Sequence, residues 1–569
     1  MSPADRARRL EAAAVVAAVG VLLGAVCLGC GRVGLTLLAP LAFGALALLA
    51  RRRAQRPIPL WQAALAATAA LLLVHAWALA WALAGYTPAG TGPEATWLRA
   101  ARGFALLGAG AFAVVLFPWP RATPDPESSP IPRRGLWVVA GVSGAWHLYL
   151  LLACGGPLVG IDSVVNLQQV PPLRFNTQPP HHPPLYPSLV HLVAGGPRYW
   201  PGLWTLVIAQ HAAAVGAALA IERTLARWTH PALAIAGGLT IGLDGAFALY
   251  AHTISSETFA TAFLLLSFAA ASAAPHQRRP LAWVLAAAGC LGVSLLTRQV
   301  MVGWVVVGGL TVGLGATRSR WVLAGAFAAV ALAPVGVVQV HNYVFTRRAA
   351  FTASVGRNLI YRVLVDTPPL PRGTDPAQDP WERARTIAWA ERERCWTGPY
   401  NALQRELGWS DAQIDEAFQR FYREQWGRYP GHYLGQTLAY MGELLVAREG
   451  FEDMVEVHNR LNPGLQPWTE VPAAPAPPAP VRFVTSWALP ARLVVLLLGA
   501  LAPLLARPPT RWLAWCAWLS VGYFTLATSL VELPLARYRV PGSAFVVVCA
   551  ALALDGLITR VRGARATLE

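Results

Sequence analysis

Apolar segments of about 20 residues recur along this chain, and short arginine-bearing connections separate them. A helix of that length crosses the hydrocarbon layer of a bilayer, where every backbone group must be satisfied within the helix itself. The composition agrees, because 55% of the residues are hydrophobic and only 13% are charged. The sequence therefore predicts an all-α integral membrane protein.

The criterion of an apolar segment of about 20 residues predicts about 14 transmembrane helices. Four of them form an N-terminal group within residues 1–118, near 11–29, 33–50, 60–84 and 97–118. The remaining ten are expected near 136–154, 201–221, 231–250, 256–274, 281–297, 300–316, 321–342, 483–506, 511–530 and 541–559.

The distribution of arginine predicts the orientation of these helices. The formal net charge is +17, but the arginines are scattered between apolar segments rather than gathered on one stripe, which argues against a nucleic-acid partner. With both termini in the cytoplasm, the positive-inside bias is satisfied with few exceptions, namely Arg32, Arg99 and Arg102. The arginines then placed in the cytoplasm are Arg51, Arg52, Arg53, Arg56, Arg121, Arg133, Arg134, Arg223, Arg227, Arg278, Arg279, Arg318, Arg320, Arg507, Arg511, Arg560, Arg562 and Arg565.

This topology divides the chain into four parts. Residues 1–118 form the additional N-terminal helices, and residues 136–342 form a membrane core with an outer loop at 155–200. Residues 343–482 lie outside the membrane and are expected to be mostly helical, because their charged and apolar residues alternate at three- and four-residue spacing. This part ends in a proline-rich linker, and residues 483–569 form the C-terminal helices and a cytoplasmic tail.

The outer loop carries the first candidate for chemistry, Asp162. A carboxylate just beyond a membrane helix can take a proton from a hydroxyl nucleophile. The alternative is a helix N-cap for the residues that follow, a common position for aspartate. The polar, proline-rich stretch from Gly160 to His191 favours the catalytic interpretation.

The same loop ends in the run HHPPLYP, which holds His181, His182 and Tyr186. The histidines can bind a metal or orient a phosphate, and the tyrosine can stack on a sugar. The alternative is a helix start in which the prolines fix the backbone and Tyr186 anchors at the membrane interface. We favour that alternative for Tyr186 and a functional role for one of the two histidines.

Charged residues near three later connections complete the candidate site. Arg298 interrupts two apolar segments, and Arg537 and Arg539 lie at the outer end of the last one, against the positive-inside trend. An arginine there snorkels to the interface or binds an anion such as a phosphate. Glu257, at the outer start of a helix, is a second candidate carboxylate; its alternative role is a favourable charge at a helix N-terminus.

The order of these motifs resembles the polytopic glycosyltransferases of the GT-C superfamily, in particular the protein mannosyltransferases and aminoarabinose transferases of glycosyltransferase family 39. The likeness rests on Asp162 after a membrane helix, the segment His182 to Tyr186, Arg298 between mid-chain helices, and Arg537 to Pro541. The segment VGRNLIYR, residues 355–362, is also similar to a stretch of many members.

The resemblance covers residues 136–365 and 483–560, and the chain departs from the family pattern in two ways. Four additional helices precede the core. Where relatives carry Asp-Glu, this chain has Asp162-Ser163, so the second acid is missing. Catalysis by a single acid, or with help from Glu257, therefore stays open.

The resemblance implies a GT-C-like core in a bacterial cytoplasmic membrane. It also implies an inverting transfer of a sugar from a polyprenyl-phosphate carrier to an acceptor hydroxyl at the extracytoplasmic face. Asp162 would deprotonate the acceptor, and Arg298, Arg537 and Arg539 would bind the lipid phosphate. A divalent metal is not obligatory if arginines bear the phosphate. The alternatives are a non-catalytic transporter or assembly protein for lipid-linked sugars, and an oligosaccharide ligase or polymerase.

Replacing Asp162 with asparagine tests its assignment as the base. The variant is expected to reach the membrane in normal amounts and to lose about 10²- to 10⁴-fold in transfer rate, the usual contribution of a positioned base. Transfer from a labelled carrier, normalised to the amount of protein in the membrane, measures this loss. An undiminished rate would remove Asp162 from this role.

Overall fold

The computed structural model describes the helices of the predicted core and of the outer region. The described residues are 133–160, 163, 166, 182–194, 200–277, 280–316, 319–352, 355–364, 379–392, 397–446, 453–459, 474–531 and 536–566. By internal contacts the chain divides into Met1–Trp119 and Pro120–Glu569, and all described residues belong to the second unit. The four predicted N-terminal helices, Asp162 and His181 lie outside the described residues.

Helices form nearly all of the described chain. The first nine are α1 (Arg133–Ala153), α2 (Leu185–Ala194), α3 (Trp200–Leu225), α4 (Pro231–Gly242), α5 (Gly245–His252), α6 (Glu257–Ala273), α7 (Pro280–Thr297), α8 (Trp304–Gly315) and α9 (Arg320–Thr346). Short 3-10 turns follow α6, precede α8 and precede α17, at Ala274–His276, Gln299–Met301 and Pro508–Thr510.

The outer region and the C-terminal part supply the other helices. They are α10 (Val355–Leu364), α11 (Pro380–Ala390), α12 (Thr397–Leu407), α13 (Asp411–Arg428), α14 (Pro430–Val446), α15 (Ala479–Ala500), α16 (Ala502–Leu505), α17 (Arg511–Val531) and α18 (Ala536–Ala566). Among the described residues, the one β-type contact is an isolated parallel bridge between Leu158 and Thr253.

In the part of the chain that the structure describes, seven helices are long and apolar enough to cross a membrane, or eight if one bent pair counts as a single crossing. The protein is therefore a multi-pass membrane protein, as the sequence predicts. Seven of the predicted helices correspond to these crossings, at Arg134–Ala153, Leu203–Leu225, Glu257–His276, Pro280–Thr297, Arg320–Val344, Pro508–Val531 and Arg537–Ala564. The predicted total of about 14 stays a prediction.

The crossing predicted near 231–250 has a break that the sequence does not reveal. The structure has two helices, α4 and α5, which meet at an angle of 43°. The side chain of Asp244 accepts a hydrogen bond of 2.8 Å from the amide of Phe247 and so caps α5. Because such a cap satisfies an N–H at the start of a new helix, aspartate favours a break at this point over continuation. Periodicity alone does not detect it, because both helices are apolar.

Aromatic rings hold the centre of the bundle. The ring of Trp304 on α8 stacks on Phe545 of α18, with centroids 6.0 Å apart, and meets Phe268 of α6 edge to face at 6.4 Å. The indole N–H of Trp304 donates to the hydroxyl of Ser520 on α17 over 2.9 Å. Since a buried indole needs an acceptor, this bond fixes how α8 meets α17.

One end of the bundle collects the short arginine-bearing connections. The guanidinium of Arg507 lies 2.6 Å from the carboxylate of Asp555, which also accepts from the amide of His230 over 2.8 Å. The ring of Trp228 meets Trp512 edge to face at 6.1 Å. The connections after α3 and before α17 and the last turns of α18 therefore share one end, as the predicted alternation requires. That this end faces the cytoplasm stays a prediction.

The opposite end carries the outer region, which is helical in its described parts, as predicted. The helices α10 to α13 share a core that includes Leu359, Ala384, Leu403 and Phe418. The region also contacts the membrane helices, because the hydroxyl of Tyr422 donates to the carbonyl of Leu530 near the end of α17. The segment VGRNLIYR lies within α10 and therefore belongs to this core.

Gly356 lets the main chains of α10 and α13 come close together. A Cβ at this position would lie 2.0 Å from the carbonyl oxygen of Asp415, and the Gly356 amide donates to the Asp415 carboxylate over 2.5 Å. The main chains therefore meet where only glycine fits.

Gly356→Ala is expected to destabilise the outer region by about 1–3 kcal/mol, because the main chain of α13 must move to admit the methyl group. Gly427→Ala on α13 is the matched control, since a Cβ there meets nothing within 4 Å. Thermal unfolding of the full-length protein in detergent measures both variants. Equal midpoints for the two would contradict this packing.

Candidate functional site

The first outer loop begins against the connection between α5 and α6. The amide of Leu158 donates to the carbonyl of His252 over 3.0 Å, and the amide of Ile254 donates to the carbonyl of Leu158 over 2.9 Å. The hydroxyl of Ser163 donates to the carbonyl of Ile254 over 2.6 Å and accepts from the amide of Gly160 over 2.8 Å. Residues on both sides of position 162 are therefore held beside the start of α6.

The outer region also contacts this part of the loop. The amide of Val159 donates to Nδ1 of His458 over 2.9 Å. A Cβ on Gly160 would lie 3.4 Å from the sulfur of Met454. The segment 453–459 thus covers the start of the loop on a second side.

Tyr186 does not lie where the sequence predicts. Its side chain is 0% exposed, its hydroxyl donates to Oε1 of Gln210 over 2.7 Å, and its ring lies 6.3 Å from that of Phe259. Burial and the carboxylate of Glu257 raise the pKa of Tyr186 well above its ordinary value, so the phenol stays protonated and donates. This buried position does not support an anchor at the membrane interface, and a contact between Tyr186 and a sugar stays a prediction.

His182 is half-buried and precedes α2, which begins at Leu185. The prolines on its C-terminal side fit the helix start that the sequence predicts. Its neighbour His181 lies outside the described residues, so the choice between the two histidines stays open. Among the residues that the structure describes, no group of three or more His, Cys, Asp or Glu side chains could hold a metal ion.

Glu257 and Arg298 form a buried ion pair between the first residue of α6 and the end of α7. The side chain of Glu257 is 2% exposed and that of Arg298 is 14% exposed. Glu257 also occupies the N-terminal position that its alternative interpretation predicts. An ion pair this far from solvent is held more firmly than a surface pair, because water screens it less.

Tyr538 joins this pair to the last membrane helix. The guanidinium carbon of Arg298 lies 5.4 Å from the centroid of the Tyr538 ring, and that of Arg537 lies 4.6 Å from the same centroid. Both distances are typical of cation–π contacts. Arg537 also donates to the Tyr538 hydroxyl over 2.6 Å. The structure therefore brings Glu257, Arg298 and Arg537, far apart in sequence, to one place.

Arg539 is arranged differently from the prediction. Helix α18 begins at Ala536, so Arg537 and Arg539 belong to its first turns and not to a connection before it. Side chains two positions apart in an α-helix are separated by about 200° around its axis, so the two arginines lie on different sides of α18. Arg539 is buried and donates to the hydroxyl of Ser543 over 3.2 Å.

Among the described residues, this cluster joins the guanidinium groups of Arg298 and Arg537 to the carboxylate of Glu257 and the ring of Tyr538. Sequence reasoning missed Tyr538 and Gln210, which place these charges and the start of α2. The signals were a tyrosine between two arginines and a glutamine within an apolar helix, where an uncharged polar residue usually has a partner.

Comparison with known proteins gives one match. No protein-family model and no curated protein matches the sequence. Among solved structures, the chain matches the crystal structure of ArnT from Cupriavidus metallidurans bound to undecaprenyl phosphate. The match covers 74% of this chain and 77% of that chain at 16% sequence identity, with a TM-score of 0.28. A TM-score this low carries no argument about the present chain.

A double-mutant cycle tests the ion pair. Glu257→Ala alone removes the buried carboxylate that faces Arg298, so it is expected to destabilise the protein more than the Glu257→Ala/Arg298→Ala double variant. The coupling energy should exceed about 1 kcal/mol by thermal unfolding in detergent. The exposed pair Arg405–Glu406 is the control and should show little coupling. Additive effects at 257 and 298 would contradict the pair.

Proposed function

We propose that this protein is an inverting glycosyltransferase. It moves a sugar from a polyprenyl-phosphate carrier to an acceptor hydroxyl at the extracytoplasmic face of a bacterial cytoplasmic membrane. The donor is a lipid-linked sugar, the acceptor is a glycan, lipid or protein hydroxyl, and membrane lipids surround the helices. The assignment of the reaction draws on the sequence resemblance, and the arrangement of charges supports the anionic donor.

One observation carries this proposal: the guanidinium groups of Arg298 and Arg537 both lie against the ring of Tyr538, at the end of the bundle where the first outer loop begins. Arg298 arrives from α7 and Arg537 from α18, and both guanidinium carbons lie within 5.4 Å of the Tyr538 centroid. Arginine binds phosphate oxygens with several donors in a planar fork. Two such groups at one aromatic ring suit the phosphate of a carrier lipid.

Asp162 is the proposed base. Its carboxylate takes the proton of the acceptor hydroxyl while that oxygen attacks the anomeric carbon from the face opposite the phosphate. The bond between the anomeric carbon and the phosphate oxygen breaks, and the electron pair stays on the phosphate. Arg298 and Arg537 stabilise this developing charge, and Arg539 is a third proposed contact. The products are the glycosylated acceptor and the polyprenyl phosphate.

Glu257 has a supporting role in this proposal. Because its carboxylate is buried against Arg298, it orients the arginine and is not available as a second base. A fixed cation stabilises a transition state more than a mobile one, since no reorganisation is needed when charge develops. Catalysis then depends on one acid, Asp162, as the missing second acid of the loop suggests.

A second candidate is a transporter of lipid-linked sugars. Its support comes from ionisable side chains buried within membrane helices, such as His147 on α1 and His211 on α3. Polar groups at such depth commonly mark transport pathways.

Arg537→Ala tests the phosphate contact. We expect kcat/KM with a synthetic polyprenyl-phosphate sugar to fall about 10²-fold, because a donor to the developing charge is lost. Arg320→Ala is the matched control, since Arg320 starts α9 at the other end of the bundle. Proteoliposomes with purified protein provide the assay, and mass spectrometry identifies the glycosidic bond.

The same assay separates the two candidates. Movement of a labelled carrier across the bilayer without formation of a glycosidic bond favours the transporter. Bond formation that is equally fast in Arg537→Ala and in the unchanged protein contradicts the proposed phosphate site.

A further inference from the structure

Three histidines inside the bundle form one hydrogen-bonded chain. Nδ1 of His147 on α1 lies 2.6 Å from Nδ1 of His211 on α3. Nε2 of His211 lies 3.1 Å from Nδ1 of His252, the last residue of α5. The rings meet edge to face, with centroids 4.9 and 5.3 Å apart, and all three side chains are buried.

All three rings can be neutral in this arrangement. A neutral imidazole has one N–H donor and one acceptor nitrogen. His211 therefore donates through one nitrogen and accepts through the other, and both bonds of the chain are satisfied without a charge. This matters because a buried imidazole in apolar surroundings is costly unless it is hydrogen-bonded. The bonds hold each ring in one orientation.

The series of hydrogen-bonded histidines ends at His252, beside the start of the first outer loop. The carbonyl of His252 accepts a hydrogen bond from the amide of Leu158, and the amide of Ile254 donates to the carbonyl of Leu158. Gln210, adjacent to His211, donates to the carbonyls of Ala251 and Thr253 over 3.0 and 2.7 Å. Neighbouring residues of α3 thus fix both the ring and the main chain at the end of α5.

We propose that His147, His211 and His252 are positioning residues for the first outer loop. They connect α1, α3 and α5 and determine where the main chain at 252–254 receives the loop that carries Asp162. This inference rests on the proposed function, since the placement of Asp162 matters for activity only if that residue is the base. Apolar side chains of similar size would pack these helices without fixing one orientation.

The atoms used in the chain allow a test with isosteric variants. His147 and His252 each bond through Nδ1, the nitrogen whose position the amide group of asparagine can occupy. His252→Asn therefore keeps the contact with His211, whereas His252→Leu removes it. His147→Asn and His147→Leu make the same comparison at the far end, six residues before the end of α1, or about 9 Å along the helix.

The kinetic readout separates positioning from donor binding. In His252→Leu the kcat for transfer is expected to fall about tenfold or more, because small displacements of a reacting group are costly, while the donor KM changes less than about twofold. His252→Asn should restore kcat to within about threefold of the unchanged protein. His341→Leu is the control variant. His341 lies on α9, which is not one of the helices that the three histidines connect, and its ring contacts its neighbour Asn342.

A second readout does not depend on activity. The thiol of Cys154, just after α1, is 4% exposed, and burial raises its pKa to about 11, so it should react slowly with a membrane-impermeant maleimide. Leucine at 147 or 252 should release the start of the loop and increase labelling at Cys154, and asparagine should not. Peptide mass spectrometry assigns the labelled cysteine, and Cys154→Ser confirms it.

The outcomes distinguish this inference from the proposed function. If the unchanged protein makes no glycosidic bond but labelling follows the predicted pattern, the proposed function fails and the positioning of the loop stands. If Cys154 stays protected in both leucine variants, or asparagine behaves like leucine, the positioning role is overturned. If both leucine variants lose cooperative thermal unfolding, the three hydrogen-bonded histidines are required for folding. That result also overturns the positioning role.

Discussion

The buried ion pair between Glu257 and Arg298 is the interaction on which the arrangement of the candidate site depends. Removing two charges from water is costly, and the cost is recovered only when the geometry of the pair is well defined. The pair requires α6 to begin where α7 ends. It therefore fixes the depth at which the connection from α5 to α6 reaches the surface. The first outer loop and Tyr538 are arranged around that point.

Part of this architecture follows from sequence because the membrane restricts the choices. Apolar segments of sufficient length must be helices, and the alternation of arginine-bearing connections places Glu257, Arg298 and Arg537 at one end. Their lateral proximity does not follow, since it depends on which helices are neighbours. The structure supplies that information, because α6 packs against both α7 and α18. The functional roles of Glu257, Arg298 and Arg537 stay proposals.

Other features depend on side-chain partners that a single sequence does not reveal. Asp244 is a normal helix cap, but a lone aspartate in an apolar run is equally typical of a crossing with one functional charge. Tyr186 follows prolines at a helix start, which suits an interface anchor, and only Gln210 explains why it is buried. His147 and His211 are 64 residues apart and carry no local signal of their contact.

The contact between Tyr422 and Leu530 has a mechanical consequence. It attaches the outer region to the last turn of α17, and only residues 532–535 separate α17 from α18. The five residue steps from Val531 to Ala536 span at most about 18 Å, so the first turn of α18 stays close to that attachment. The outer region and Arg537 are therefore tethered to one point. A ligand that displaces the outer region would therefore also displace Arg537, through the short connection between α17 and α18.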